Sequence, residues 1–117
     1  MLELISLEPT WLDRFREILN SAVLAGGVGG VTLSEVAERL GLGDRTLQRR
    51  LAEHETTWRA ELDMILRDRV IILVQDRSVS VESIASQLGY RDSSLLHKAF
   101  RRWTGQSLAE FRRGLTN

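Results

Sequence analysis

The sequence has 117 residues, no cysteine, a single proline and only two histidines. Without cysteine the chain can form neither a disulfide framework nor a thiolate metal site, and His54 and His97 lie too far apart in sequence to suggest a metal-binding pair. No apolar run reaches the roughly 18 residues that a membrane span needs, and the first residues do not resemble a signal peptide. We therefore expect a soluble intracellular protein with no cofactor, no metal and no membrane contact.

Catalytic motifs are missing as well. None of the serines stands in the G-x-S-x-G setting of a hydrolase, and the glycine-rich residues 26–30 lack the Lys-Ser/Thr of a phosphate-binding loop. Both histidines are isolated from groups that could activate or orient them. The sequence therefore indicates a binding function, and we expect no enzymatic activity.

The chain also lacks an excess of charge of either sign, because sixteen basic residues balance sixteen acidic ones. This balance argues mildly against nucleic-acid binding. The distribution is nevertheless uneven: residues 1–42 hold six acidic and three basic side chains, whereas residues 91–117 hold two acidic and six basic ones. Every basic residue except Lys98 is arginine, which suits bidentate contacts to phosphate and guanine.

What the sequence does contain is a repeat. Residues 31–41 (VTLSEVAERLG) reappear 48 positions later as residues 79–89 (VSVESIASQLG). In both copies an alanine is followed by a glycine four residues on and a leucine six residues after that. A short helix, a polar turn and a second helical pattern in each copy predict two helix-turn-helix units.

The elements before and within the first unit follow from local signals. Pro9 predicts the first residue of a lead-in helix, and residues 26–30 end that helix in a flexible joint. Thr32 and Glu35 predict a capping box at the next helix, and the second helix of the unit is predicted to begin near Asp44.

A long helix is predicted to connect the two units. It spans roughly residues 57–76, is capped by Thr57 and would be about 30 Å long. Residues 70–74 are apolar without a break, which predicts that this stretch is buried on all sides. Such a helix would act as a strut.

In the second unit Ser80 caps the first helix, and the following turn is predicted to be one residue longer than its counterpart. The reason is that Leu96, Ala99, Phe100 and Trp103 form the apolar stripe, which leaves Leu95 exposed. Ser107 and Glu110 predict a capping box at a last helix.

Together these elements predict an all-α fold. Two helix-turn-helix subdomains are joined by a long central linker helix, with about seven helices preceded by an N-terminal helix. The boundaries are residues 1–30 for the lead-in helix and glycine-rich linker, 31–56 for the first unit, 57–77 for the linker helix, and 78–117 for the second unit with a C-terminal helix.

The order of small, aromatic and basic residues resembles the DNA-binding domain of the AraC/XylS family of bacterial transcription regulators over residues 31–113. The carrying segments are Leu40 and Gly41, RTLQRRL at 45–51, Arg67, IASQLGYRDSS at 84–94, KAFRRWTGQS at 98–107, and Phe111 and Arg112. The sequence departs from the family pattern at five positions. Gly43 stands in place of the family's serine, Glu55 in place of glycine, Ile71 in place of alanine, Leu96 in place of an aromatic residue and Leu108 in place of proline.

The resemblance implies sequence-specific binding to double-stranded DNA in the bacterial cytoplasm, associated with the nucleoid. Two recognition helices about 34 Å apart would enter successive major grooves. It also implies RNA polymerase as a partner beyond DNA, and an effector-binding or dimerisation domain if the chain is a fragment of a longer regulator. A natural single-domain regulator is the lesser alternative. The alternative is a helical protein-interaction module that does not bind DNA.

Candidate contacts follow from which side chains face outward. The base-reading candidates are Arg45, Gln48, Arg49, Ser93, Ser94 and His97, with backbone contact the favoured role for His97. The phosphate candidates, which include the helix N-termini at the two caps, are Thr32, Arg50, Ser80, Arg91, Lys98, Arg101, Arg102 and Arg112. The first unit is predicted to carry most of the base discrimination, because serine in the second unit bonds any base edge.

Overall fold

The structure, a computed structural model, describes residues 10–27 and 31–115. Within these ranges it consists of seven helices and no strand. They are α1 (Trp11–Gly26), α2 (Leu33–Arg39), α3 (Asp44–Glu53), α4 (Trp58–Val74), α5 (Val81–Gln87), α6 (Ser93–Thr104) and α7 (Leu108–Gly114). The predicted all-α architecture is confirmed, and the lead-in helix is the first of the seven. None of the helices in the described part of the chain has the length and apolarity to cross a membrane.

Helix α1 begins two residues later than the sequence predicts. Thr10 caps it in a capping box with Asp13, so the first helical residue is Trp11, and Pro9 lies outside the described residues. The helix ends at Gly27, whose φ of 70° and whose close approach to the Leu88 carbonyl both require glycine, since an added Cβ would lie 2.9 Å from that oxygen. The end of α1 therefore contacts the turn of the second unit. Residues 28–30, the rest of the predicted joint, lie outside the described ranges.

The first unit, α2 and α3, packs with α1 and the first half of α4 around one apolar cluster. Its fully buried members include Phe15, Leu19, Val36, Leu47 and Leu51. The start of α2 is only half of the predicted capping box: the Thr32 hydroxyl accepts from the backbone of Glu35, and the return bond is not formed. Helix α3 begins at Asp44, as the sequence predicts, and its N-cap Gly43 offers no side-chain bond.

Helix α4 is shorter and more exposed than predicted. It has 17 residues, which corresponds to about 25 Å, because the helix ends at Val74 rather than near residue 76. The apolar stretch is not buried on all sides: Val70 and Val74 are fully buried, but Ile72 is 66% exposed. One face of this stretch contacts the second unit, and the opposite face lies at the surface.

The second unit forms its own cluster against the second half of α4. Four residues separate α2 from α3, whereas five separate α5 from α6, so the predicted longer turn is confirmed. Leu96, Ala99 and Phe100 are buried, and Leu95 is 42% exposed. Leu108, which departs from the family's proline, is 1% exposed at the start of α7, where it packs in this cluster and Ser107 and Glu110 complete the predicted capping box.

An ion pair that the sequence reasoning did not find links α1 to α4. Arg16 donates to both oxygens of Glu61, from Nε at 2.7 Å and from the guanidinium NH2 at 3.0 Å. The Thr56 hydroxyl donates to the same carboxylate at 2.7 Å. Glu61 is 1% exposed, and the hydrogen bond from Arg16 lowers the pKa of its carboxyl. The pair is therefore a buried, charged connection between the lead-in helix and the linker helix.

Glu55 closes α3 in a conformation that suits glycine. Its φ is 60°, and the backbone of Thr56 donates to the Leu51 carbonyl while that of Glu55 donates to Ala52. These two bonds form a Schellman motif with glutamate at the left-handed position. The left-handed conformation is about 1 kcal/mol less favourable for a residue with a side chain than for glycine. We expect Glu55→Gly to raise the free energy of unfolding by about 1 kcal/mol in a urea titration.

A matched variant separates this effect from a general effect of glycine. Glu53, the last residue of α3, has ordinary helical geometry, so Glu53→Gly should destabilise the protein by about 0.5–1 kcal/mol. Equal effects of both substitutions would show that the left-handed backbone at Glu55 stores no strain.

Candidate nucleic-acid interface

Helix α3 presents the three predicted base-reading side chains of the first unit on one exposed face. Leu47 and Leu51 are fully buried and fix the orientation of the helix. Arg45, Gln48 and Arg49 are exposed on its opposite side. Two guanidinium groups and one amide on the same face provide the donors and acceptors that guanine and adenine edges require.

Arg50, predicted to contact phosphate, lies to one side of this face. Its guanidinium carbon is 5.4 Å from the centre of the Trp11 ring, and the residue is half-buried. Trp11 in turn stacks on His54, with ring centres 5.3 Å apart. This cation–π contact holds α3 against the lead-in helix. Contact of Arg50 with phosphate stays a prediction.

The start of α6 is held by Asp92. Its carboxylate accepts from the backbone N–H groups of Ser94 and Leu95 and also from the Ser94 hydroxyl. The hydrogen bond from that hydroxyl lowers the pKa of Asp92, so a negative charge sits at the N-terminus of the second recognition helix. The Ser94 hydroxyl donates to Asp92 in this structure, and its contact with a base stays a prediction.

The remaining α6 candidates form an exposed stripe. His97, Lys98 and Arg101 lie on the outer side of the helix together with Ser94, while Ser93 is half-buried beside the turn. Arg91 is exposed in the loop before the helix. Three cationic side chains accompany the polar groups on this surface, compared with the two arginines of the α3 face. That the second unit supplies more of the non-specific affinity stays a prediction.

Two of the predicted phosphate contacts have partners within the protein. Arg102 lies 3.7 Å from the Asp63 carboxylate of α4. Arg112 donates to three backbone carbonyls around the end of α4, those of Val74, Asp76 and Val79. Because these bonds satisfy carbonyls around the end of a helix, Arg112 ties α7 to α4, and its contact with phosphate stays a prediction.

Thr32 and Ser80 cap α2 and α5, as the sequence predicts. Each hydroxyl accepts from a backbone N–H three residues on, that of Glu35 and that of Ser83. Both residues are exposed, so phosphate contact near these N-termini stays a prediction.

The sequence reasoning missed a set of charges between the two units. Asp63 of α4 accepts from the indole Nε1 of Trp103 at 3.2 Å, and Arg59 lies 3.4 Å from its other oxygen. Glu61 and Asp63 interrupt the apolar pattern of the linker helix, which was the available signal. Their partners are 45 and 40 residues away in sequence, so no local pattern identifies them.

Comparison with known proteins gives relatives over most of the chain. A helix-turn-helix domain family matches residues 36–114. The HTH-type transcriptional regulator VqsM of Pseudomonas aeruginosa is 41% identical over 81 residues, which cover 69% of this chain and 25% of that protein. The chain thus spans about a quarter of the length of the curated relatives it matches.

Solved structures share the arrangement of helices. The transcriptional regulator CdpR from Pseudomonas aeruginosa is 37% identical, with a TM-score of 0.73 over 85% of this chain and 31% of that one. The DNA-binding domain of AdpA, a global transcriptional factor solved in complex with a target DNA, has a TM-score of 0.69 at 23% identity and covers 86% of this chain and 90% of that one.

Proposed function

Because the chain belongs to the AraC-type family of helix-turn-helix transcription regulators, we propose that α3 and α6 are the helices with which it reads double-stranded DNA. The chain is a DNA-binding regulator domain, and the two helices would enter successive major grooves on one side of the duplex. The body measures 40 × 38 × 22 Å, so its broad faces can accommodate two helices one DNA turn, about 34 Å, apart.

The observation that carries this proposal is the exposed face of α3. Arg45, Gln48 and Arg49 project from a helix whose inner side is fixed by two buried leucines. Among the residues that the structure describes, these three side chains form no hydrogen bond or ion pair that would explain them as part of the packing. The two units differ in sequence, so the binding site is asymmetric, and one chain contacts both halves.

The wider role follows from the relatives. They are transcription regulators about four times as long as the matched segment, so we propose that this domain acts beside an effector-binding or dimerisation domain. Contact with RNA polymerase would connect DNA binding to transcription. We place this activity in the bacterial cytoplasm, where the nucleoid is accessible. We likewise propose that the chain divides at residues 30/31, 56/57 and 77/78. These boundaries separate, in order, the lead-in segment, the first unit, the linker helix and the second unit.

Salt dependence tests whether the chain binds DNA through these cations. The sequence bound best should first be selected from random duplexes, and its affinity then measured by fluorescence anisotropy between 50 and 200 mM salt. Three exposed phosphate candidates that lie outside the Asp63 ion pair, Arg91, Lys98 and Arg101, predict a slope of log K against log salt of about −2.7, since each neutralised phosphate contributes about −0.9.

A flat salt response, or a selection that enriches no sequence, would contradict the proposal. A protein-interaction module would give both of these results, because its apolar interface releases no counterions. The variant Lys98→Ala should reduce the slope by about one, whereas Arg14→Ala on the lead-in helix should leave it unchanged.

A further inference from the structure

Among the described residues, polar contacts between α6 and the linker helix α4 meet at Asp63, and we call this place the joint. Trp103, in the last turn of α6, packs against both apolar clusters, that of the first unit and that of the second. Its Nε1 donates to Oδ1 of Asp63 at 3.2 Å. The joint thus lies where the two units meet, in the half of α4 that otherwise packs with the first unit.

Charges reinforce the joint from both helices. Arg102 of α6 lies 3.7 Å from the same Asp63 oxygen, and Arg59 of α4 lies 3.4 Å from the other. The Asp63 side chain is 28% exposed, so these contacts are partly shielded from water. The Asp63 carboxylate is therefore contacted by two side chains of α6 and by one side chain of its own helix, α4.

The joint also borders a groove that faces the proposed DNA surface. The groove has a volume of about 340 Å³ and is lined by Arg59, Leu62, Leu95, Lys98 and Arg102 among others. The groove is an unfilled space between α4 and α6, so packing there resists a small shift or rotation of α6 over α4 less than a filled interface would. A hydrogen bond and an ion pair at one end are directional and would oppose such a movement.

We propose that Asp63 and Trp103 set the spacing between the two DNA half-sites that this chain accepts. This inference rests on the proposed function. Both are positioning residues, since they hold α6 and do not themselves contact DNA. Moving one half-site by one base pair displaces it by about 3.4 Å and rotates it by about 35°, so a firmly held pair of helices discriminates strongly against the change.

The test measures affinity for a set of duplexes. The site selected with the unaltered chain is altered only in the separation of its halves, by one or two base pairs in either direction. We expect the unaltered chain to bind its preferred spacing at least about tenfold more tightly than the neighbouring ones. In Trp103→Phe, which keeps an aromatic side chain of smaller size but lacks the Nε1 donor, this ratio should fall to about threefold or less.

Asp63→Asn provides a second variant, because it weakens the contacts with both arginines. The free arginines would raise the affinity for every duplex, but this increase cancels in the ratio between spacings. Asp68→Asn is the matched control. Asp68 lies on the same helix, is 60% exposed and pairs with Arg67 at 3.3 Å rather than with a residue of α6, so its spacing ratio should equal that of the unaltered chain.

The outcomes separate the two proposals. Spacing ratios that stay at the unaltered value in both Trp103→Phe and Asp63→Asn, or that fall equally in Asp68→Asn, overturn the role of the joint while DNA binding stands. If the unaltered chain binds no duplex in preference to others, the proposed function and the role of the joint fail together.

Discussion

Replacing Arg16 by methionine is expected to lower the free energy of unfolding by about 3 kcal/mol, which corresponds to a fall in Tm of about 10 °C or more. The substitution removes the counterion of Glu61, whose side chain is 1% exposed. A buried carboxylate that loses its partner must remain charged at a high cost or take up a proton. Arg16 itself is 42% exposed, which places the expected loss at the lower end of the range for buried pairs.

The pH dependence of this loss provides the more specific test. In the unaltered chain the hydrogen bond from Arg16 lowers the pKa of Glu61, so the stability it contributes is present above the ordinary glutamate pKa and is lost as the pH falls through the lowered value. In Arg16→Met burial is no longer opposed by the guanidinium, so the pKa of Glu61 should rise. The difference in stability between the two proteins should therefore begin to shrink as the pH falls through the raised pKa of Glu61 in the variant, and it should be smallest below the lowered pKa of Glu61 in the unaltered chain. Urea titrations at a series of pH values measure it.

Two further variants locate the effect in the pair. Arg14→Met removes an exposed arginine from the same helix and should change stability by less than about 0.5 kcal/mol. The double variant Arg16→Met/Glu61→Met should recover much of the loss, because the uncompensated charge is then absent. A double variant no more stable than Arg16→Met would show that the pair acts by packing rather than by charge.

Arg49→Ala should reduce the preference for the selected DNA sequence over altered ones by about 1–3 kcal/mol. Arg49 is exposed on α3 beside Arg45, in a position to donate two hydrogen bonds to guanine. Without the guanidinium, duplexes that differ at the contacted base pair become nearly equivalent. Competition binding against a panel of singly altered duplexes measures this loss of preference at each position.

Lys98→Ala provides the contrast in the same assay. An ammonium group that contacts phosphate contributes to every duplex alike, so all affinities should fall by a similar factor and the preferences should persist. If Lys98→Ala removes preference at a base pair while Arg49→Ala weakens all duplexes equally, the assignment of base reading mainly to the first unit is wrong.

Local patterns were sufficient to predict the fold because its elements have local signals. Caps at Thr57, Ser80 and Ser107 occur where the sequence predicts them. The apolar spacing around Leu96 also predicted the longer second turn. The predictions of helix ends were less accurate: α4 ends at Val74, where Arg112 satisfies the terminal carbonyl, and this contact joins residues 38 apart in sequence.

The candidate site also combines features that local patterns predict with features that they do not. The outward direction of Arg45, Gln48 and Arg49 follows from the 3.6-residue period once Leu47 and Leu51 are taken as buried. The contacts of Arg50 with Trp11 and of Arg112 with the Val74 carbonyl do not follow from periodicity, because each joins residues far apart in sequence. The buried face of α4 also contains Glu61, which a search for apolar stripes passes over.

The longer second turn determines which positions of α6 correspond to the base-reading positions of α3. Sequence alignment of the repeat pairs Gln48 with Leu96, 48 positions later, and Leu96 is fully buried. One extra residue turns the helix by about 100°, so the geometric counterparts of Arg45, Gln48 and Arg49 are Ser94, His97 and Lys98. An engineered chain with new specificity in its second half must be designed on this shifted correspondence, since the aligned one would place an amide in the core.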